Sequence, residues 1–272
     1  MSRTGRLTMM AALAATTSLA LAACGGGDGG DDTGGGDGGS DLELITPGTL
    51  TVCSEVPYPP FEIEDSEAPS GYSGFDIDLV QAIADSLELE LAVQDVSFDG
   101  IQSGTAYASG QCDMGASAIT ITEDRQANLD FSDPYYDSLQ SLLVRTDSGI
   151  ESIDDLDGVT VGVQQGTTGE AYANENAEGA EIISFTSDGE LWPALQAGNI
   201  DAILQDQPVN IEHEKADSTY TIVEEYDTDE SYGWAFAKGE RAELIEAINA
   251  ALQELRDDGT YKTIYDSYFT AE

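Results

Sequence analysis

The chain has 272 residues and is strongly acidic, with 53 aspartates and glutamates against 9 lysines and arginines, a formal net charge of −44. This charge excludes nucleic acid as a partner, because phosphate binding requires clustered lysine and arginine side chains. Like charges repel one another in dilute salt and are screened at molar salt. The composition therefore predicts either a halophilic acidic surface or an ordinary acidic secreted protein.

The first 23 residues have the pattern of a secretory signal peptide. Arg3 and Arg6 precede a mostly apolar stretch over residues 7–23, and small residues lead up to Cys24. The stretch is shorter than the ~20 apolar residues of a membrane span. We predict a lipoprotein signal over residues 1–23 and a lipid on Cys24, which would anchor the protein to the membrane at the outer face of the cell. A signal cleaved elsewhere and a single membrane span are the alternatives.

Residues 24–47 are predicted to form a disordered tether. Between residues 25 and 41 the sequence consists mostly of glycine and aspartate. Such a segment has no apolar surface to bury and does not fold by itself. The tether would hold a globular domain away from the lipid.

From residue 48 onward, strand and helix patterns alternate in two successive sets. Helices are predicted from apolar residues at a spacing of three and four, and strands from short buried or alternating runs. The first set comprises strand 49–53, helix 75–87, strand 89–96, helix 98–108, strand 113–118 and a helix that begins after Thr122. The second set comprises strand 159–163, helix 168–176, strand 182–185, helix 188–197 and strand 200–204, and an apolar stripe over 244–255 and an aromatic segment over 261–269 predict two more helices.

The alternation predicts parallel sheets covered by helices. Two short echoes support a repeat: residues 48–52 resemble 158–161, and residues 109–113 resemble 197–201. The sequence therefore predicts two α/β lobes.

Two cysteines, Cys53 and Cys112, remain besides Cys24. An even pair in an oxidising compartment is most simply a disulfide. Two buried thiols are the alternative.

The sequence contains no catalytic or metal-binding arrangement. His213 is the only histidine and lies in a polar helical stretch. Because no cysteine or second histidine accompanies it, it does not form a zinc site. We expect a solvated surface histidine, no metal and no cofactor.

Two charged residues suit the two ends of a small zwitterion. Arg125 follows a strand end, and an arginine can hold a carboxylate by two parallel hydrogen bonds. Asp206 follows the strand 200–204, at the end where open α/β sheets bind ligands, and its carboxylate suits an ammonium group. A surface ion pair for Arg125 and a loop cap for Asp206 are the structural alternatives.

Four further residues suit the same ligand. Thr167 and Thr168 lie at a predicted helix N-terminus, where backbone N–H groups attract anions. Tyr58 and Phe98 would enclose an aliphatic or cationic side chain, unless both belong to the core.

Several motifs occur in order over residues 48–270. They are Tyr58–Glu62 (YPPFE), Gly74–Leu79 (GFDIDL), Thr120–Arg125 (TITEDR), Asp130–Tyr136 (DFSDPYY), Val161–Gly169 (VGVQQGTTG), Asp258–Tyr261 (DGTY) and Ile264–Tyr265 (IY). Together they resemble the family 3 extracellular solute-binding proteins, which serve ABC importers of polar amino acids.

The resemblance implies a type II periplasmic-binding-protein-like fold, in which two lobes, each a mostly parallel sheet flanked by helices, are joined by two hinge crossings. We place the crossings near residues 139–144 and 232–237. Lobe 1 would comprise residues 48–141 and 236–272, and lobe 2 residues 142–235.

The resemblance also implies the ligand contacts. Arg125 would bind the α-carboxylate of an amino acid, and Asp206 would bind its α-ammonium group. Glu55 would meet the polar end of the ligand's side chain. With Thr167, which its place at a helix N-terminus indicates, the predicted ligand-binding residues are Glu55, Tyr58, Phe98, Ser117, Ala118, Thr120, Arg125, Gln164, Thr168 and Asp206.

These features predict a monomeric binding protein that is not an enzyme. It would bind a free polar or cationic L-amino acid outside the cytoplasm and deliver it to ABC permease subunits by hinge closure. A cyclohexadienyl dehydratase-like enzyme, with Glu55 as its acid or base, and a sensory protein that presents ligand to a receptor are alternatives on the same fold.

Overall fold

The computed structural model describes residues 42–269. The predicted signal peptide, Cys24 and the predicted tether up to residue 41 lie outside these residues. The strands are β1 (Thr49–Ser54), β2 (Ile63–Glu64), β3 (Tyr72–Ser73), β4 (Glu90–Asp95), β5 (Met114–Gly115), β6 (Leu129–Phe131), β7 (Tyr136–Arg145), β8 (Thr160–Gln164), β9 (Glu181–Phe185), β10 (Ala202–Asp206), β11 (Tyr220–Tyr232) and β12 (Ala235–Ala237). The helices are α1 (Phe75–Ser86), α2 (Phe98–Gln102), α3 (Thr105–Ala108), α4 (Glu123–Gln126), α5 (Thr168–Asn176), α6 (Asp188–Gln196), α7 (Gln207–Ala216), α8 (Ala242–Asp258) and α9 (Thr260–Phe269), with a 3-10 helix at Ile153–Asp155.

Two five-stranded sheets organise the described residues. One has the order β4-β1-β5-β12-β6 and the other β11-β7-β10-β8-β9, while β2 and β3 form a separate hairpin. The neighbours of β1 in the first sheet are parallel to it, and so are the neighbours of β8 in the second. We call the first sheet with its helices lobe 1 and the second lobe 2. This arrangement confirms the predicted fold class.

Lobe 1 buries apolar side chains on both faces of its sheet. Leu50 and Val52 of β1 belong to one core cluster and Cys53 to another, because successive strand residues face opposite sides. The predicted stripe of α8 packs into the first cluster. On the second face a disulfide joins Cys53 to Cys112.

Lobe 2 is built in the same way. Leu142 and Val144 of β7 pack on the face that carries α5, and Leu143 packs on the face that carries α6. These residues form a continuous apolar run, which is typical of a strand buried on both faces.

The two long strands β7 and β11 pair antiparallel within lobe 2 and lead into lobe 1. Their pairing begins at Tyr136 opposite Tyr232, whereas the sequence placed the lobe boundaries at residues 142 and 236. The difference arises because both crossing segments continue as strands of the second sheet.

Residues 42–47, placed in the tether from the sequence, contact lobe 1. Leu42 and Leu44 pack against the core, and the N–H of Ile45 donates to Asp113 Oδ1 at 2.8 Å. The partial burial of Leu42 and Leu44 therefore ties this segment to lobe 1. Among residues 42–269, none of the helices has the length and hydrophobicity of a membrane span.

The predicted helix 98–108 is divided in two. Gly104 separates α2 from α3. Its φ of +83° is a backbone conformation that glycine adopts readily. The predicted strand 113–118 is reduced to β5, because the chain leaves the sheet to enter the loop that follows.

His213 is buried, which corrects the expectation of a solvated surface histidine. Its exposed fraction is 5%, and its Nε2 lies 2.9 Å from Asp188 Oδ1. Its ring stacks on Trp192 with centroids 4.3 Å apart. These partners, which lie in α6, offset the cost of burying a polar ring and are too far along the chain for local patterning to reveal.

Candidate functional site

Side chains of both lobes line one cavity. The space between them amounts to about 300 Å³, including the part that opens to solvent. All eleven predicted ligand-binding residues lie on its wall: Glu55, Tyr58, Phe98, Ser117, Ala118, Thr120, Arg125, Gln164, Thr167, Thr168 and Asp206. Their contact with a ligand stays a prediction.

Arg125 lies in α4 of lobe 1, a short helix capped by Thr122, whose hydroxyl accepts the Arg125 N–H. The guanidinium donates from Nη1 to the Thr120 carbonyl at 2.8 Å and from Nη2 across the cleft to the Gly166 carbonyl at 2.9 Å. It also lies over the Phe98 ring, 5.3 Å from the centroid. Burial lowers the pKa of Arg125, and the neighbouring carboxylates oppose this effect. The result is a buried cation held in place by both lobes.

Asp206 ends β10 on the opposite wall. It accepts hydrogen bonds from Tyr58 Oη of lobe 1 at 2.9 Å and from Gln140 Nε2 at 2.5 Å. Burial, together with the nearby Glu230, raises the pKa of Asp206 to about 6. A cationic partner would stabilise the ionised form of this carboxyl group.

Glu55 follows β1 and closes another part of the cavity. Its carboxyl oxygens accept the Phe98 N–H and the Gln164 Nε2–H of lobe 2, both at 2.7 Å. Burial raises the pKa of Glu55 to about 7. The other atom of the Gln164 amide, Oε1, is buried without a hydrogen-bond partner among the described residues. This end of the cavity thus presents two acceptors.

The loop after β5 supplies Ser117, Ala118 and Thr120. Ser117 Oγ accepts the Glu55 N–H at 3.0 Å. Ala118 has φ at +44°, and its N–H donates to Asp76 Oδ2 at 2.9 Å. The loop is therefore fixed from beneath by buried partners.

Thr167 and Thr168 begin α5 after a tight turn. Thr167 caps the helix, its Oγ1 accepting the Glu170 N–H at 3.1 Å. Gly166 has φ at +77°, and a Cβ there would lie 3.0 Å from Gln102 Nε2 of lobe 1. Glycine therefore serves the turn, while the flexible Gln102 side chain could move away from a Cβ.

Sequence reasoning missed Glu230 and Gln140, on β11 and β7. Glu230 Oε2 accepts the Thr168 hydroxyl at 2.8 Å and the Thr120 hydroxyl at 3.0 Å. Gln140 Nε2 lies within 3.4 Å of Glu230 as well as close to Asp206. No sequence signal marks either residue, because their positions depend on how β11 pairs with β7 next to the cleft. Between residues 42 and 269, no cluster of three or more His, Cys, Asp or Glu could hold a metal ion.

Comparison with known proteins identifies the family. The model of the bacterial extracellular solute-binding proteins, family 3, matches residues 50–271. The chain belongs to this family. Its similarity to the L-cystine-binding protein TcyJ of Escherichia coli (strain K12) is 31% identity over 228 residues, 83% of this chain and 84% of TcyJ.

Solved structures of amino acid-binding proteins agree with the fold. An ancestral arginine-binding protein bound to arginine is 39% identical, with a TM-score of 0.75 over 82% of this chain and 99% of that chain. The ancestral amino acid-binding protein AncCDT-1, a precursor of cyclohexadienyl dehydratase, is 36% identical, with a TM-score of 0.73 over 82% of this chain and 96% of that chain. The predicted two-lobed architecture and family are thus confirmed.

Proposed function

We propose that this family 3 protein binds a free polar or cationic L-amino acid outside the cytoplasm and delivers it to the membrane subunits of an ABC importer. One observation carries the proposal: a buried cation of lobe 1, Arg125, and a buried carboxyl group of lobe 2, Asp206, line the same cavity. A free amino acid carries the two complementary charges on adjacent groups.

The geometry supports lobe closure around such a ligand. A guanidinium has five N–H donors, and the bonds of Arg125 to two carbonyl groups leave others for the α-carboxylate. Asp206, which lies on the other lobe, would bind the α-ammonium group of the ligand. A ligand shifts a conformational equilibrium only by the difference in its affinity for the two states. Contact with both lobes would supply that difference and favour the closed form for delivery.

The ligand's side chain should carry hydrogen-bond donors. Glu55 and the Oε1 atom of Gln164 are buried acceptors on one wall of the cavity. They favour a guanidinium, an ammonium or an amide group. A second carboxylate would meet Glu55 without a counter-charge, so we expect glutamate and aspartate to be excluded.

A thermal-shift screen of the twenty amino acids and ornithine in high salt tests the proposal. A ligand that binds only the native state stabilises it by about 2.7 kcal/mol at a hundred times its Kd. We expect one or a few polar or cationic amino acids to raise the melting temperature and glutamate to leave it unchanged. If no amino acid raises the melting temperature, the proposed function is wrong.

A dehydratase activity is the second candidate. Its support is Glu55, whose pKa burial raises to about 7, a value suited to a general acid or base at neutral pH. We favour binding without catalysis, since Glu55 already has two hydrogen-bond donors from the protein. Turnover of prephenate or arogenate by the purified protein would reverse this preference.

We also propose that the protein acts as a monomer held to the membrane by a lipid on Cys24. Family 3 proteins are extracellular, and the sequence that precedes Cys24 supports the anchor. A Cys24→Ala variant should appear in the culture medium, whereas retention in the membrane fraction would count against the lipid.

A further inference from the structure

Two carboxyl groups lie side by side in the core of lobe 1, beneath the cavity. Glu62 ends the loop that starts at Tyr58, and Asp76 lies in the first turn of α1. Both are 0% exposed, and the N–H of Asp76 donates to the carbonyl of Phe61, the residue before Glu62, at 3.2 Å. Both Glu62 oxygens and Asp76 Oδ1 are buried without a hydrogen-bond partner between residues 42 and 269.

The surroundings place the negative charge on Asp76. Its Oδ2 accepts the Ala118 N–H at 2.9 Å and the Tyr135 O–H at 2.7 Å. The first turn of a helix also favours a carboxylate, because the helix dipole is positive there. Glu62 has neither advantage, and burying a second unpaired charge beside the first is strongly unfavourable.

The ionisable groups around Glu62 all favour its neutral form. Burial raises the pKa of Glu62 well above its usual value, and the nearby Asp76 and Glu55 raise it further. Tyr58 and Tyr135 also face this group, and neither supplies a positive charge. Burial raises the pKa of Asp76 to about 6, while its bonds to Ala118 and Tyr135 oppose the rise.

The pair connects two walls of the cavity. On one side, Asp76 holds the N–H of Ala118, a cavity residue in the left-handed backbone region. That conformation is strained for a residue with a Cβ and persists only where its surroundings enforce it. On the other side, Glu62 exchanges backbone hydrogen bonds with Tyr58, which faces the cavity from the opposite loop.

We propose that Glu62 and Asp76 form a carboxyl pair that shares one proton and positions the loop of Ser117, Ala118 and Thr120 at the cavity. Protonated Glu62 donates to Asp76 Oδ1, and ionised Asp76 fixes the Ala118 amide. Neither residue lines the cavity, so both are positioning residues. The inference rests on the proposed function only for its binding measurement.

Infrared spectroscopy tests the location of the proton without a ligand. At mildly alkaline pH, where Glu55 with its pKa of about 7 is ionised, the wild type should show the C=O stretch of a protonated carboxylic acid. Glu62→Gln should lack this band. Asp76→Asn should lack it too, because the asparagine amide donates to Glu62 and lets it ionise. Asp78→Asn, a matched change in the same helical turn with Tyr268 as its partner, should retain it. A band that persists in Glu62→Gln overturns the proposal.

Calorimetric titration with L-arginine tests the positioning role. Asp76→Ala leaves the Ala118 N–H and the Tyr135 O–H unpaired and should weaken binding roughly tenfold or more. Asp76→Asn keeps an acceptor in place and should stay within about threefold of the wild type, as should the control Asp78→Ala. Equal affinities of Asp76→Ala and Asp78→Ala overturn the proposal.

The two measurements fail separately. If the wild type binds neither L-arginine nor another amino acid, the proposed function is wrong, while the infrared band still decides whether the pair exists. If Asp76→Ala does not fold, the bands of Glu62→Gln and Asp76→Asn carry the decision.

Discussion

Replacing Arg125 by alanine should weaken amino acid binding by about 2–5 kcal/mol, or from about 30-fold to several thousandfold. The range follows from the burial of the guanidinium, which is 7% exposed, and from its position over Phe98 between the lobes. The variant loses the charge-assisted hydrogen bonds to the ligand's α-carboxylate, so the carboxylate is buried without the guanidinium as its counter-charge.

Titration calorimetry with the amino acid that gives the largest thermal shift measures this loss. Arg145→Ala is the matched control, because Arg145 pairs with Asp147 at the surface and its side chain is 49% exposed. Arg125→Lys should give an intermediate loss, since lysine keeps the charge but not the two-pronged geometry. Unchanged affinity in Arg125→Ala, or an equal loss in Arg145→Ala, would refute the assignment.

Four further predictions follow from the charges and the cross-link. The pKa of Asp206 is raised to about 6, and the ligand's ammonium group binds the ionised form, so the affinity for the ligand should fall as the pH drops below about 6. Calorimetry in two buffers should detect the proton that binding releases, and a constant affinity down to about pH 5 would contradict this prediction. Burial raises the pKa of Glu55 in the folded protein from 4.5 to about 7. The stability that protonated Glu55 contributes is therefore complete below pH 4.5 and is lost as the pH rises to about 7. Over this range the melting temperature of Glu55→Gln should decline less than that of the wild type. Cys53 and Cys112 are 59 residues apart in sequence, so reducing their disulfide should lower the free energy of unfolding by about 4 kcal/mol. Identical urea midpoints with and without reductant would contradict this stabilisation. If the acidic surface is halophilic, the melting temperature should rise toward molar salt, as repulsion is screened, whereas a flat salt series would indicate an ordinary acidic protein.

The regular elements were predictable because their signals are local. The helix α5 has the bounds that the sequence indicated, and α1 ends one residue before the predicted helix. Apolar spacing, capping residues and glycine at turns determine these elements over a few neighbouring positions.

Features that depend on distant contacts were not predictable. The apolar pattern over 98–108 favours one helix, whereas the chain turns at Gly104, whose φ is +83°. His213 looks solvated in its own helix, yet the partners that bury it lie in α6.

The candidate site was predictable where a motif carried it. Arg125 and Thr168 lie within motifs of family 3, and the structure brings both to the cavity. Glu230 and Gln140 lie on the two long strands outside the motifs, and their approach to Asp206 and Thr168 arises from the pairing of β11 with β7 and its register shifts. Local patterning contains no trace of such an arrangement.

A crystal structure of the protein with the amino acid that stabilises it most would test the central claim directly. We predict that the α-carboxylate of that amino acid contacts Arg125, that its α-ammonium group contacts Asp206, and that both lobes touch the ligand. An amino acid bound elsewhere, or held by one lobe alone, would contradict the account.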